Sequence, residues 1–147
     1  MNRDYRFRRV EHLPEIIIAD PPFTFSDQRG EIFNLNEESW LRELNGEIGR
    51  GVTYGFDGVS FPKTNLSLSY WHVLRGVHVS DKLWKIFCCP LGKIYAVVVD
   101  CRSGSATFGK WESFSMGEVR NMAMVLVPPG FGLAHLVLSG MAVFHYQ

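Results

Sequence analysis

Arg75, His78 and Lys85 lie within eleven positions of one another in VLRGVHVSDKLWKIFCCPLG, residues 73–92, among apolar residues of strand type. An imidazole titrates near neutrality and can take or return a proton. A lysine can stabilise a developing negative charge. An arginine presents a planar fork of donors suited to phosphate or carboxylate. Such a set can move a proton on an anionic ligand. The same three residues are also compatible with a packed core histidine, an edge-strand arginine and a surface lysine, and residue type alone leaves both readings open.

The elements around them decide whether they can meet. In SYWHVLRGVHV, residues 69–79, strict alternation puts His72, Leu74, Gly76 and His78 on one face and Trp71, Val73, Arg75 and Val77 on the other. Arg75 and His78 would then point apart. Gly76 between them is a candidate bulge, which could re-aim both side chains towards one cavity. In LWKIF, Lys85 shares a face with Leu83 and Phe87, so it either snorkels at a rim or enters a polar cavity.

The rest of the chain reads as closely spaced short strands: PEIIIAD, EIF, the β-branched and aromatic run from Val52 to Val79, KLWKIFCC, GKIYAVVVDC, TFGKWESFSM, MAMVLVP, AHLVLS and MAVFHY. KIYAVVV is apolar on both faces, as a strand covered on both sides would be. NEESWLRELNGEIG predicts a single short helix, with Asn36 as its cap and Gly46 as its stop. Many short strands imply an all-β fold of antiparallel strands, here a jelly-roll barrel with one short helix, in a single domain over residues 1–147.

Composition narrows the function. Fifteen basic and fifteen acidic residues give zero net charge, which removes the electrostatic footprint of a nucleic-acid binder. Cys88, Cys89 and Cys101 form no metal-type pair; Cys88 and Cys89 point to opposite faces of a strand, and free thiols in a reducing cytoplasm are expected. His72, His78, His135 and His145 lack the close spacing of a barrel metal site, so no metal and no cofactor are expected. Residues 121–147 carry no charged side chain, but VPPGFG interrupts them, so buried strands about a turn are predicted rather than a membrane span. The basic start lacks an apolar segment behind it and reads as no signal peptide. Trp71, Trp84 and Trp111 are expected in the core, His12 and His145 at the surface or in structural roles, and Asp100 with Arg102 in a strand-end ion pair.

FSDQRGEIF, NLSLSYWHVLRGVH, KLWKIFCCPLGKIYAVVVDCRSGSATFGKW and VPPGFGLAHLVLSGMAVFHY follow one another in an order and spacing that resembles the dTDP-4-dehydrorhamnose 3,5-epimerases, from about Pro14 onward. The resemblance implies a cupin-like jelly roll without a metal, a homodimer, and a nucleotide-linked 4-keto-6-deoxy sugar as substrate, epimerised at C3, C5 or both. By motif position it implies His78 as the base, Lys85 near the C4 oxygen and Tyr146 as the acid. It implies Arg75 and Arg29 at the nucleotide diphosphate or neighbouring groups, and Asn65 and Ser67 on a strand lining the site. The residue types suit that chemistry: a C–H bond beside a ketone becomes acidic when the enolate is stabilised, and a second acid on the opposite ring face inverts the centre.

Two positions depart from the family pattern. Where the family has a histidine after G-F, GFGLAH carries Leu133, and His135 follows two residues later as a substrate contact or a packed histidine. This variant resembles the branch acting on other activated sugars, GDP-linked heptoses among them. The family pattern also runs on past the position of Gln147, with a segment supplying an aspartate for the histidine base. The expectation for these residues is therefore a His78 without that partner, with Asp81 and Asp100 the nearest acids in sequence, and weaker activity unless another acid takes the role. A binding paralogue that keeps the fold without catalysis, and a ketoisomerase on a related barrel, are the alternative functions.

Overall fold

The computed structural model describes residues 6–21, 23–33, 35, 42–44, 46, 59, 61, 63–117 and 122–147. The described residues form twelve strands: β1 (Arg6–Val10), β2 (Leu13–Asp20), β3 (Phe23–Asp27), β4 (Gly30–Phe33), β5 (Asn65–Tyr70), β6 (Leu74–Val79), β7 (Lys85–Leu91), β8 (Lys93–Asp100), β9 (Trp111–Gly117), β10 (Met124–Val127), β11 (Phe131–Val137) and β12 (Met141–Tyr146). They form a six-stranded sheet in the order β1-β2-β10-β7-β12-β5, a four-stranded sheet β6-β11-β8-β9, and the hairpin β3–β4. Every pair is antiparallel. The fold is an all-β, cupin-like jelly roll.

The larger sheets face one another over an apolar core. Phe87 of β7 meets Phe114 of β9 edge-on at 6.5 Å and Phe144 of β12 at 5.5 Å. Fully buried Ile94, Ala96 and Val98 alternate along β8 with Tyr95, Val97 and Val99, which are exposed or half-buried. The expected two-sided cover of this strand is therefore incomplete: the outer face of the four-stranded sheet is partly open to solvent. β1 was not anticipated, because RFRRV has the polar alternation of an edge strand and only its pairing with apolar β2 identifies it. Residues 42–44 and 46 are helical, within the span predicted for the helix; the expected cap, Asn36, lies outside the described residues. Among the described residues no helix is long and apolar enough to cross a membrane, and the charge-free segment forms β10, β11 and β12.

Trp84 is buried, but Trp71 and Trp111 are 60% and 57% exposed, against the core placement expected of them. Trp71 stacks on His72 at 3.6 Å in the corner between β5 and β6, where the chain leaves one sheet for the other. The corner is held by Trp71 N–H to Gly140 O and His72 N–H to Val137 O, both 3.1 Å, and by Val137 N–H to Val73 O at 3.0 Å. At the end of β8, Asp100 accepts from Arg102 Nε and Nη2, Ser105 and Thr107, and Arg102 also reaches Glu15. This is the expected strand-end ion pair, enlarged into a loop network. Cys88 and Cys89 are buried free thiols. Burial raises Cys88 to about 12 and Cys89 to about 11, so both stay protonated.

Candidate active site

The bulge expected at Gly76 is present, and it solves the facing problem. β6 pairs with β11 through Leu133↔His78 and His135↔Arg75, so two residues of β6, Gly76 and Val77, oppose Ala134 alone. Leu133 and His135 are two apart and share a face. Directly paired residues also share a face. Arg75 and His78, three apart, are thereby turned to the same side. Gly76 has φ 113, and a Cβ there would lie 2.6 Å from Leu133 O and 2.7 Å from Ala134 Cα. Both obstacles are backbone, which cannot swing aside. Gly76→Ala is expected to destabilise the fold by about 2–4 kcal/mol through strain and overpacking. Urea unfolding checks this, and a variant as stable as the parent would mean that the bulge is not required.

Arg75, His78, Leu133 and His135 line a cavity of about 290 Å³ together with Ser67, Lys85, Phe144 and Tyr146. Its two walls are the two sheets: His78 and Arg75 come from β6, whereas Lys85, Tyr146 and Ser67 come from β7, β12 and β5. Lys85 spans them. Its Nζ donates to His78 O at 2.8 Å and approaches Phe131 O at 3.5 Å. Burial holds the Lys85 ammonium below its ordinary range, an effect the nearby Cys101 opposes. Tyr146 pairs with Asn65 on one side and Phe87 on the other, and the next residue, Gln147, exchanges backbone hydrogen bonds of 2.9 and 3.1 Å with Ile86. Those pairings fix the phenol against the cavity.

Not every sequence candidate is in the cavity. Asn65 lies beside Tyr146 in the ladder but does not line it. Arg29 sits at the β3–β4 turn, 77% exposed, with Nη2 2.7 Å from Asp27. Asp100 is committed to its loop network, and among the described residues no carboxylate is hydrogen-bonded to the His78 ring. Leu133 and Phe144 supply an apolar floor, and Ser69 grips Arg75 from β5 at 2.8 Å. Ser69 was not singled out in sequence, although alternation from Ser67 puts it on the same face. Among the described residues no group of three histidine, cysteine or acidic side chains is arranged to hold a metal.

His135 is 5% exposed and stacks on Phe144 at 4.1 Å, and its Nε2, like Ser67 Oγ, has no partner. Burial, with the charges of Arg75 and His78, lowers the imidazole to about 4. The folded form therefore resists protonation while the unfolded chain takes a proton near pH 6.5. The contribution of His135 to stability should fall as pH drops from about 6.5 to about 4 and level off below, because the unfolded state binds the extra proton in that window. His135→Phe is expected to flatten that part of the stability–pH curve. An unchanged slope in the variant would contradict this assignment.

The family model for dTDP-4-dehydrorhamnose 3,5-epimerase matches residues 11–147. The chain belongs to that family. It is 33% identical over 135 residues to the dTDP-4-dehydrorhamnose 3,5-epimerase of Salmonella typhimurium, covering 92% of this chain and 69% of that protein. It is 36% identical over 133 residues to a dTDP-4-dehydro-6-deoxyglucose 3-epimerase of Streptomyces bikiniensis, covering 87% of this chain and 61% of that protein. Among solved structures, a 3,5-epimerase from Legionella pneumophila in complex with dTDP-4-keto-L-rhamnose superposes with a TM-score of 0.81 at 29% identity, over 97% of this chain and 70% of that one. In this family member, Arg75, His78, Lys85 and Tyr146 stand on both walls of one cavity.

Proposed function

We propose that the chain epimerises a nucleotide-activated 4-keto-6-deoxy sugar at C3, C5 or both. The observation that carries this reading is the convergence of Arg75, His78, Lys85 and Tyr146 on one cavity of the family fold. In this scheme His78 removes the proton from a carbon next to the ketone. The electron pair moves onto the C4 oxygen, where the Lys85 ammonium stabilises the enolate. Tyr146 returns a proton to the same carbon from the other ring face. Base and acid stand on opposite sheets, an arrangement suited to inversion rather than simple exchange. Arg75 binds the diphosphate through its guanidinium, and Ser67 and His135 offer their unpartnered polar atoms to the sugar. Asn65 supports that wall from the neighbouring ladder position. Arg29 keeps its motif-based assignment to the nucleotide end, from the hairpin outside the cavity.

The proposed assembly is a homodimer. β5 is an edge strand of the six-stranded sheet, and Leu66, Leu68 and Tyr70 on its outward side are 67%, 51% and 63% exposed. An apolar edge of this kind is an association surface in a stable protein. Light scattering at micromolar concentration is expected to give twice the chain mass, and a monomer would contradict the assembly. We also assign residues 1–147 to one domain, and the cytoplasm as the compartment that supplies nucleotide sugars.

The activity is tested by incubating the protein with dTDP-, GDP- and CDP-linked 4-keto-6-deoxy sugars and determining product stereochemistry by NMR. Inversion beside an unmoved ketone is expected. A product with its carbonyl shifted along the ring would replace epimerisation with ketoisomerisation.

A further inference from the structure

Arg75 is held by a side chain that the scheme above does not use. Its Nε donates to Ser69 Oγ at 2.8 Å, and Ser69 is only 3% exposed. The geometry points to Ser69 as a positioning residue that fixes Arg75 by Nε and so directs the terminal Nη1/Nη2 pair, end-on, at the phosphate oxygens of a nucleoside diphosphate. This inference rests on the nucleotide-sugar reading and specifies how that ligand is gripped.

The fold makes the contact possible. Ser69 and Arg75 are six residues apart but belong to opposite sheets, separated by the pinned corner at residues 71–73. Alternation along β5 turns Ser67 and Ser69 inward and Leu66, Leu68 and Tyr70 outward. Ser69 therefore stands at the inner end of one wall, facing the start of the other. Its cross-strand neighbour Ala142 is buried and apolar, which leaves Arg75 as its polar partner.

The consequence is chemical as well as geometric. A guanidinium can meet two phosphate oxygens side-on, through Nε and one Nη, or end-on, through both Nη. Occupation of Nε by Ser69 removes the first mode. Among the described residues Nη1 and Nη2 of Arg75 make no hydrogen bond, so the second mode is open. Holding a long side chain in its bound geometry before the ligand arrives also reduces the ordering that binding must impose.

The test compares the parent, Ser69→Ala, Ser69→Thr, Arg75→Lys and the Ser69→Ala/Arg75→Lys double variant. Calorimetry uses dTDP and GDP, with thymidine and guanosine as probes lacking the diphosphate. Ser69→Ala should weaken diphosphate binding about tenfold, as expected for a charge-assisted contact, and leave nucleoside binding unchanged. Ser69→Thr should restore it. In the Arg75→Lys background Ser69→Ala should add nothing, because lysine has no Nε to hold. In kinetics with the nucleotide sugar, KM should rise while kcat stays near the parent value. The Arg75 Nε–H resonance should be protected from solvent exchange in the ligand-free parent and Ser69→Thr, and exposed in Ser69→Ala. Parent-like diphosphate binding and protection in Ser69→Ala, or additive losses in the double variant, would overturn the positioning role. A parent that binds neither of these diphosphates, nor CDP, would instead overturn the nucleotide-sugar reading, while the resonance experiment still reports on the contact itself.

Discussion

His78→Ala is expected to abolish solvent-deuterium uptake at the carbons beside the ketone while leaving nucleotide binding intact. A positioned general base contributes about 10²–10⁴ in rate, and alanine leaves nothing in its place. The neighbours are poor substitutes. His135 faces the same cavity, but its pKa near 4 makes it a much weaker base at neutral pH, and its ring is packed on Phe144. Tyr146 stands on the opposite sheet. Tyr146→Phe should accordingly behave differently: proton removal by His78 persists, so deuterium still enters, but inversion slows because the opposite-face donor is gone. Mass spectrometry of recovered substrate and product separates the two variants. Equal loss of exchange in both would mean that acid and base are not divided between the walls.

The second large effect belongs to Lys85. Among the described residues Lys85 is the only cation of the six-stranded wall that lines the cavity, and Lys85→Met removes it while leaving a side chain of similar length. Loss of a group that stabilises an oxyanion costs about 10²–10³ in kcat. Here the replacement also leaves His78 O without its 2.8 Å donor, which loosens the strand carrying the base. The fall should appear mainly in kcat, because the enolate charge exists only after proton removal, and KM should change little. A Lys85→Met enzyme with a raised KM and unchanged kcat would move Lys85 from enolate stabilisation to ground-state binding.

Much of this site was legible in the residues. Gly76 between Arg75 and His78 announced the bulge, because only an extra residue could turn both side chains inward, and glycine tolerates the backbone that the bulge needs. The apolar runs of β7, β8, β10 and β12 were legible as strands for the same reason that they are buried. Two-sided cover of β8 was misread, since alternation of Ile, Ala and Val with Tyr and Val looks apolar throughout, while burial depends on which layer lies outside. Trp71 and Trp111 were misplaced because size and hydrophobicity favour the core, whereas a corner and a strand start put them at the surface. Motif position said nothing of where Arg29 stands: the DQRG sequence puts it on a hairpin apart from the two large sheets, with its guanidinium against Asp27. The grip of Ser69 on Arg75 depends on the three-residue corner at 71–73 that folds one sheet edge towards the other, a tertiary fact that local alternation hints at but does not contain.

Solvent-deuterium incorporation by the unmodified chain is the most direct test of the central claim. The protein is incubated in deuterium oxide with a nucleotide-linked 4-keto-6-deoxy sugar that it binds, and C3 and C5 are followed by NMR. The account predicts deuterium at one or both carbons, with inversion at the labelled centre and no exchange in His78→Ala. A chain that binds the nucleotide sugar yet exchanges neither proton would contradict it and leave a binding protein on an epimerase fold.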